Sequence, residues 1–100
     1  MSTLKLQIVQ DSDEKNATFI FENEDHTLGN PLRYVLSKHP DVSFVGYSVP
    51  HPYEEKMHLR IQTKSKPARD VLKEATNTLE EMMTTLKGKM EDALREAEIS

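Results

Sequence analysis

Four short stretches of the chain alternate apolar with polar residues, and two others repeat their apolar residues every three or four positions. Leu4, Leu6 and Ile8 alternate with Lys5 and Gln7, which predicts a strand with one buried face. Asp11-Ser12-Asp13-Glu14-Lys15-Asn16 is a polar turn, and residues 17–22 return as a second strand with Phe19 and Phe21 on one side, so the pair forms a hairpin. Residues 42–49, rich in β-branched and aromatic side chains, read as a third strand with both faces partly covered. Gly46 within it marks a bulge or a place where another side chain crosses closely. After the loop Pro50-His51-Pro52-Tyr53-Glu54-Glu55, Met57, Leu59, Ile61 and Thr63 alternate with His58, Arg60 and Gln62 as a fourth strand.

The helical spacing appears twice. Leu28, Leu32, Val35 and Leu36 make one apolar face of a short helix. Thr27 is its expected N-cap, and Asp25 adds negative charge at the positive helix end. With Leu28 first, Pro31 falls in the opening turn, where a missing N–H costs little, and His39-Pro40 stops the helix. A long helix follows over 67–97, with Pro67 in its first turn and Ala68, Leu72, Ala75, Leu79, Met82 and Leu86 stepping by four and three. Gly88 either ends it or lies inside it. The continued spacing of Met90, Ala93, Leu94 and Ala97 favours continuation.

The order β-β-α-β-β-α predicts an α+β fold: one four-stranded sheet from two hairpins, with a short and a long helix on one face, the whole of 1–100 forming a single domain. A helix over 67–97 is about 45 Å long, whereas strands of this size reach only about 20 Å. The sheet therefore cannot cover the whole stripe. Its far half, with Met82, Met83 and Met90, is expected to stay exposed as a partner surface.

Composition narrows the function. The net charge of −4, from 13 Lys and Arg against 17 Asp and Glu, argues against a free-standing nucleic-acid binder. The absence of cysteine removes disulfides and thiolate metal sites, and no stretch resembles a signal-peptide core or a membrane span, so a soluble intracellular protein is expected. His26, His39, His51 and His58 make no pair at metal-ligand spacing; His26 reads as a helix-start residue, His39 as a helix-end residue and His51 as a turn residue. No nucleophile motif or phosphate loop is present, and the carboxylates sit in loops and on the outer face of the last helix. No catalytic residue, metal site or cofactor is expected.

The run Asp25-His26-Thr27-Leu28-Gly29-Asn30, followed by Leu32-Arg33, resembles the small α-like subunits of multisubunit RNA polymerases. The likeness continues through Pro40-Asp41-Val42, Phe44-Val45-Gly46-Tyr47, His51-Pro52 and Leu59-Arg60-Ile61-Gln62-Thr63. It looks most like the subunit shared by eukaryotic RNA polymerases I and III, with the polymerase II counterpart and archaeal subunit L as near alternatives and the bacterial α dimerisation domain in the same family. Pro31 stands where relatives usually carry another residue. The resemblance implies a nuclear protein, present also in the nucleolus, that pairs with a larger α-like subunit through a four-helix contact. The heterodimer would be a platform for the two large catalytic subunits. On this reading the dimer interface comprises Thr27, Leu28, Leu32, Val35 and Leu36 of the short helix and Val71, Leu72, Ala75, Leu79, Met82, Met83 and Leu86 of the long one. The family motif is Asp25 through Asn30 with Arg33. No small-molecule substrate, membrane or sequence-specific nucleic acid is implied. A nucleic-acid-binding α+β module is the alternative from another class, resting on Lys56, Arg60, Lys64 and Lys66.

Overall fold

A computed structural model describes residues 5–11, 13–24, 26–50, 53 and 56–99. The elements run β1 (Lys5–Gln10), β2 (Asn16–Glu22), α1 (His26–Ser37), β3 (Val42–Ser48), β4 (Lys56–Thr63) and α2 (Ala68–Ile99), in the predicted order. Leu4, Asp25, His51 and Pro52 lie outside the described residues.

The strands form one antiparallel sheet in the order β1-β2-β4-β3. Alternation decides its faces. In the central pair Ala17 stands opposite Ile61, Phe19 opposite Leu59 and Phe21 opposite Met57, and all six side chains are buried on the helix-bearing side. α1 packs on β3, and the first half of α2 lies over β2 and β4 beside α1. Leu32, Leu36, Val71, Ala68 and Ala75 close the core from above. Burying each of the larger aliphatic side chains contributes about 1.5–3 kcal/mol.

Local bonds fix how the layers meet. The first N–H of α2, at Ala68, donates to the Glu14 carbonyl in the first hairpin turn at 2.9 Å. Thr63, buried at the end of β4, donates its N–H to the Lys15 carbonyl at 2.9 Å and its hydroxyl to the Lys66 carbonyl. Asn23 turns the chain after β2 with φ at 63°, a left-handed conformation that asparagine tolerates.

Some expectations change and others are settled. α1 begins at His26, so Thr27 lies in its first turn and not ahead of it as a cap, and Pro31 sits inside the helix, where it brings no N–H to the ladder. β1 has the predicted alternation, yet Leu6 and Ile8 remain 45% and 43% exposed, because α2 covers β2 and β4 and stops short of the edge strand. The irregularity in β3 falls between Val42 and Phe44; at Gly46 it is the Phe44 ring that crosses closely, 3.2 Å from where a Cβ would stand. β3 is an edge strand, partly covered on the helix side. Gly88 lies within an unbroken α2.

Candidate functional site

α2 is 32 residues long, about 48 Å at 1.5 Å per residue, and only its first three turns have a sheet beneath them. Val71, Leu72 and Ala75 are buried and Leu79 is partly so. One turn later the same stripe is open: Met82, Met83, Leu86, Met90 and Leu94 are all about half exposed, Leu94 reaching 58%. The feature left without cover is therefore a row of five large apolar side chains on one helix.

Beside the start of that row lies a groove of about 250 Å³ between the end of α1 and α2, lined by Tyr34, Val35, Lys38, Ala75, Thr78 and Met82 among others. The Lys38 ammonium sits 5.6 Å from the Tyr34 ring centre, which fixes the mouth of the groove by a cation–π contact. His39, which also lines the groove, belongs to a polar clasp. His39 Nδ1 accepts from the Asp41 N–H at 3.0 Å, so the ring proton is on Nε2 and is donated to Glu74 on α2 at 3.0 Å. Lys66 reaches the other Glu74 oxygen at 3.1 Å. Hydrogen bonds from His39 and then Lys66 hold the Glu74 carboxyl below its usual range. Asp41 accepts from the Ser65 hydroxyl at 2.7 Å and from the Lys66 N–H at 2.8 Å, and these bonds lower its carboxyl in the same way. The clasp ties the end of α1 to the base of α2. His39 was expected as a helix-end residue; its role as a link to Glu74 joins positions too far apart in sequence to be read there.

The motif residues serve packing. A Cβ on Gly29 would lie 2.6 Å from the Tyr47 ring and 2.9 Å from Met57 Sδ, so only glycine lets α1 approach β3 and β4 this closely. Tyr47 donates its hydroxyl to the Asn30 side-chain oxygen, pinning the same turn. Arg33 and Thr27 are exposed, and Leu28 is partly buried. On the opposite sheet face Arg60 is held by Asp11 at 2.7 Å and by Thr18 at 3.3 Å. No described group of three His, Cys, Asp or Glu residues is placed to hold a metal ion, and no described helix is long and apolar enough to cross a membrane.

The structure thus divides the expected interface set. Leu32, Val35, Leu36, Val71, Leu72 and Ala75 belong to this chain's own core; Leu79 stands at the boundary; Met82, Met83 and Leu86 are open. Met90 and Leu94 join the open row. They were visible in the sequence as a continuation of the spacing. Tyr34 and Lys38 were not, because the groove arises only where two helices meet.

An apolar helix face that the described residues leave uncovered marks a surface for another protein. A family model described as the RNA polymerase Rpb3/Rpb11 dimerisation domain matches residues 16–89, and the chain belongs to that family. It is 49% identical over 72 residues to the DNA-directed RNA polymerases I and III subunit RPAC2 of Drosophila melanogaster, covering 68% of this chain and 69% of the relative. It is 61% identical over 61 residues to the polymerases I and III subunit rpc19 of Dictyostelium discoideum, covering 61% of this chain and 52% of the relative. The matches thus span from about half to two thirds of these relatives' lengths. The fold is that of RNA polymerase subunit L from Thermoplasma acidophilum, with a TM-score of 0.80 at 19% identity, over 99% of this chain and 97% of that one.

Proposed function

We propose that this chain is the small, non-catalytic assembly subunit shared by nuclear RNA polymerases I and III. It pairs with a larger α-like subunit, and the heterodimer is the platform on which the catalytic subunits assemble in the nucleus and nucleolus. The names of its relatives and its family's dimerisation role support this reading. The observation that carries it is the open row Met82, Met83, Leu86, Met90 and Leu94. In this reading the chain acts as one dimerisation domain over 1–100, with the helix over 67–97 as its interface element. Leu79, Met82, Met83 and Leu86 touch the partner directly, and Val35 and Ala75 line the adjoining groove. Leu28, Leu32, Leu36, Val71 and Leu72 hold the two helices in place to present that surface, and Thr27 lies at the edge of the contact.

The test is light scattering of the chain mixed with a larger α-like subunit. A defined one-to-one complex is expected. Leu86→Asp should weaken it roughly a hundredfold or more, because binding would bury an unpaired charge, while circular dichroism of the variant alone is unchanged. A charge at Leu32 would test the core instead, since that side chain is 1% exposed. Failure of the unaltered chain to form the complex, or full-strength binding by Leu86→Asp, would overturn the proposal.

A further inference from the structure

The two edges of the sheet are finished differently. β3 breaks its register between Val42 and Phe44, carries the Phe44 ring close over Gly46, and has α1 packed on its helix side. Irregularities and covers of this kind keep an edge strand from pairing with a foreign one. β1 has neither. Its six residues pair with β2 without a break, from Lys5 opposite Glu22 to Gln10 opposite Ala17, and no proline or glycine interrupts the run. In the order β1-β2-β4-β3 no described strand lies on its other side, so every second residue turns its backbone N–H and C=O outward.

Along the same edge the helix-bearing face is open. Leu6 and Ile8 border an apolar hollow of about 590 Å³ whose back wall is Phe19, Phe21 and Leu72. The wall is already buried by this chain; Leu6 and Ile8, both nearly half exposed, are what an occupant would cover. On the α2 side stand Arg69 and Lys73, exposed, with Asp70 as the one carboxylate beside two cations. Neither cation has a side-chain partner among the described residues. These residues lie on a different flank of α2 from Ala75, Thr78 and Met82, so the hollow is separate from the groove beside Tyr34.

An extended chain answers all three features at once. Laid beside β1, it takes up the outward N–H and C=O groups, and every second side chain rises on the helix side. There, apolar side chains cover Leu6 and Ile8, and carboxylates on either side of them reach Arg69 and Lys73. A helix in the hollow would cover the apolar pair and leave the strand edge unpaired. A second copy of β1 fits less well. Its sequence Lys5-Leu6-Gln7-Ile8-Val9-Gln10 holds no carboxylate, and pairing two such edges would set both cationic rims on one face of a continuous sheet.

We propose that β1 is a strand-addition site, which takes an extended segment of another protein with two apolar side chains over Leu6 and Ile8 and acidic residues flanking them. Backbone pairing supplies the attachment, and Arg69 with Lys73 selects acidic flanks over basic ones. The site does not depend on the assembly role, because the open row beyond Leu79 takes no part in it.

Fluorescence anisotropy of the full chain with a synthetic nine-residue peptide tests it. The peptide has threonine at odd positions and glutamate, valine, valine and glutamate at even ones, a pattern that reads the same in both directions and so serves either strand polarity. Saturable binding below about 1 mM is expected. Ile8→Glu should weaken it at least roughly tenfold, with the circular dichroism of the chain unchanged, since that side chain is already 43% exposed. Exchanging the peptide's glutamates for lysines should cost a similar factor, and Arg69→Glu combined with Lys73→Glu should reverse the preference. On binding, amide exchange should slow at alternate residues of β1 and not in β3. No binding at about 1 mM, indifference to Ile8→Glu, an unreversed charge preference or slowing in β3 alone would overturn the inference. Self-association of the chain that slows the same β1 amides would give the edge to a second copy and overturn it as well. None of these outcomes touches the assembly role, which is read from the one-to-one complex with the larger subunit.

Discussion

The two halves of α2 carry the same apolar spacing and meet opposite fates. From Ala68 to Ala75 the stripe is buried over β2 and β4; from Met82 to Leu94 the same stripe faces solvent. Helical periodicity states which side of a helix seeks cover, and the dimensions of the rest of the chain decide whether cover exists. The first half is bound to its fold, and the second is available to a partner.

That contrast can be broken at its buried end first. Leu36→Ala should cost the isolated chain about 2–5 kcal/mol in urea denaturation, since Leu36 is fully buried between the helices and the sheet, whereas Leu94→Ala should stay within about 0.5 kcal/mol. Equal losses at the two sites would mean that the far half folds back on its own domain. Gly29→Ala comes next, with an expected loss of about 1–3 kcal/mol, because its methyl would enter the Tyr47 ring and Met57. The same measurement checks it; an unchanged midpoint would show that α1 can lift off β3 at little cost.

The smallest effect concerns the clasp at the base of α2. Asp41 and Glu74 have lowered carboxyls in the folded chain, so their contribution is present above the ordinary carboxylate range and is lost as pH falls through their folded values. The melting temperature of Asp41→Asn should therefore lie below that of the parent chain near neutrality, and the gap should close below about pH 4. A gap that persists in acid would show that Asp41 acts through packing and not through its charge.

Much of this architecture was legible beforehand, and the gaps have physical reasons. β2 and β4 read cleanly because central strands have neighbours on both edges and a helix on one face. β1 showed the same alternation, but whether Leu6 and Ile8 are covered depends on how far α2 reaches across the sheet, which no local pattern records. The run from Asp25 to Asn30 was recognised as a motif before its cause was visible: Gly29 answers to Tyr47 and Met57, which approach only after folding. His39 found Glu74 in the same long-range way. The expected interface mixed core with surface because one spacing serves both, and only the length of the sheet separates Leu72 from Met83.

The bond from Ala68 to Glu14 and the clasp through Glu74 anchor α2 at one end, while about 30 Å of it, beyond Leu79, projects past the sheet. Such an arm converts angle into distance. A tilt of about 5° at its base would carry the tip sideways by about 3 Å, most of the width of a methyl group. The hydrogen bonds at the root of the helix are few and individually modest, so their chief effect is aim: they determine where the apolar row arrives in space, and hence which surface it can meet.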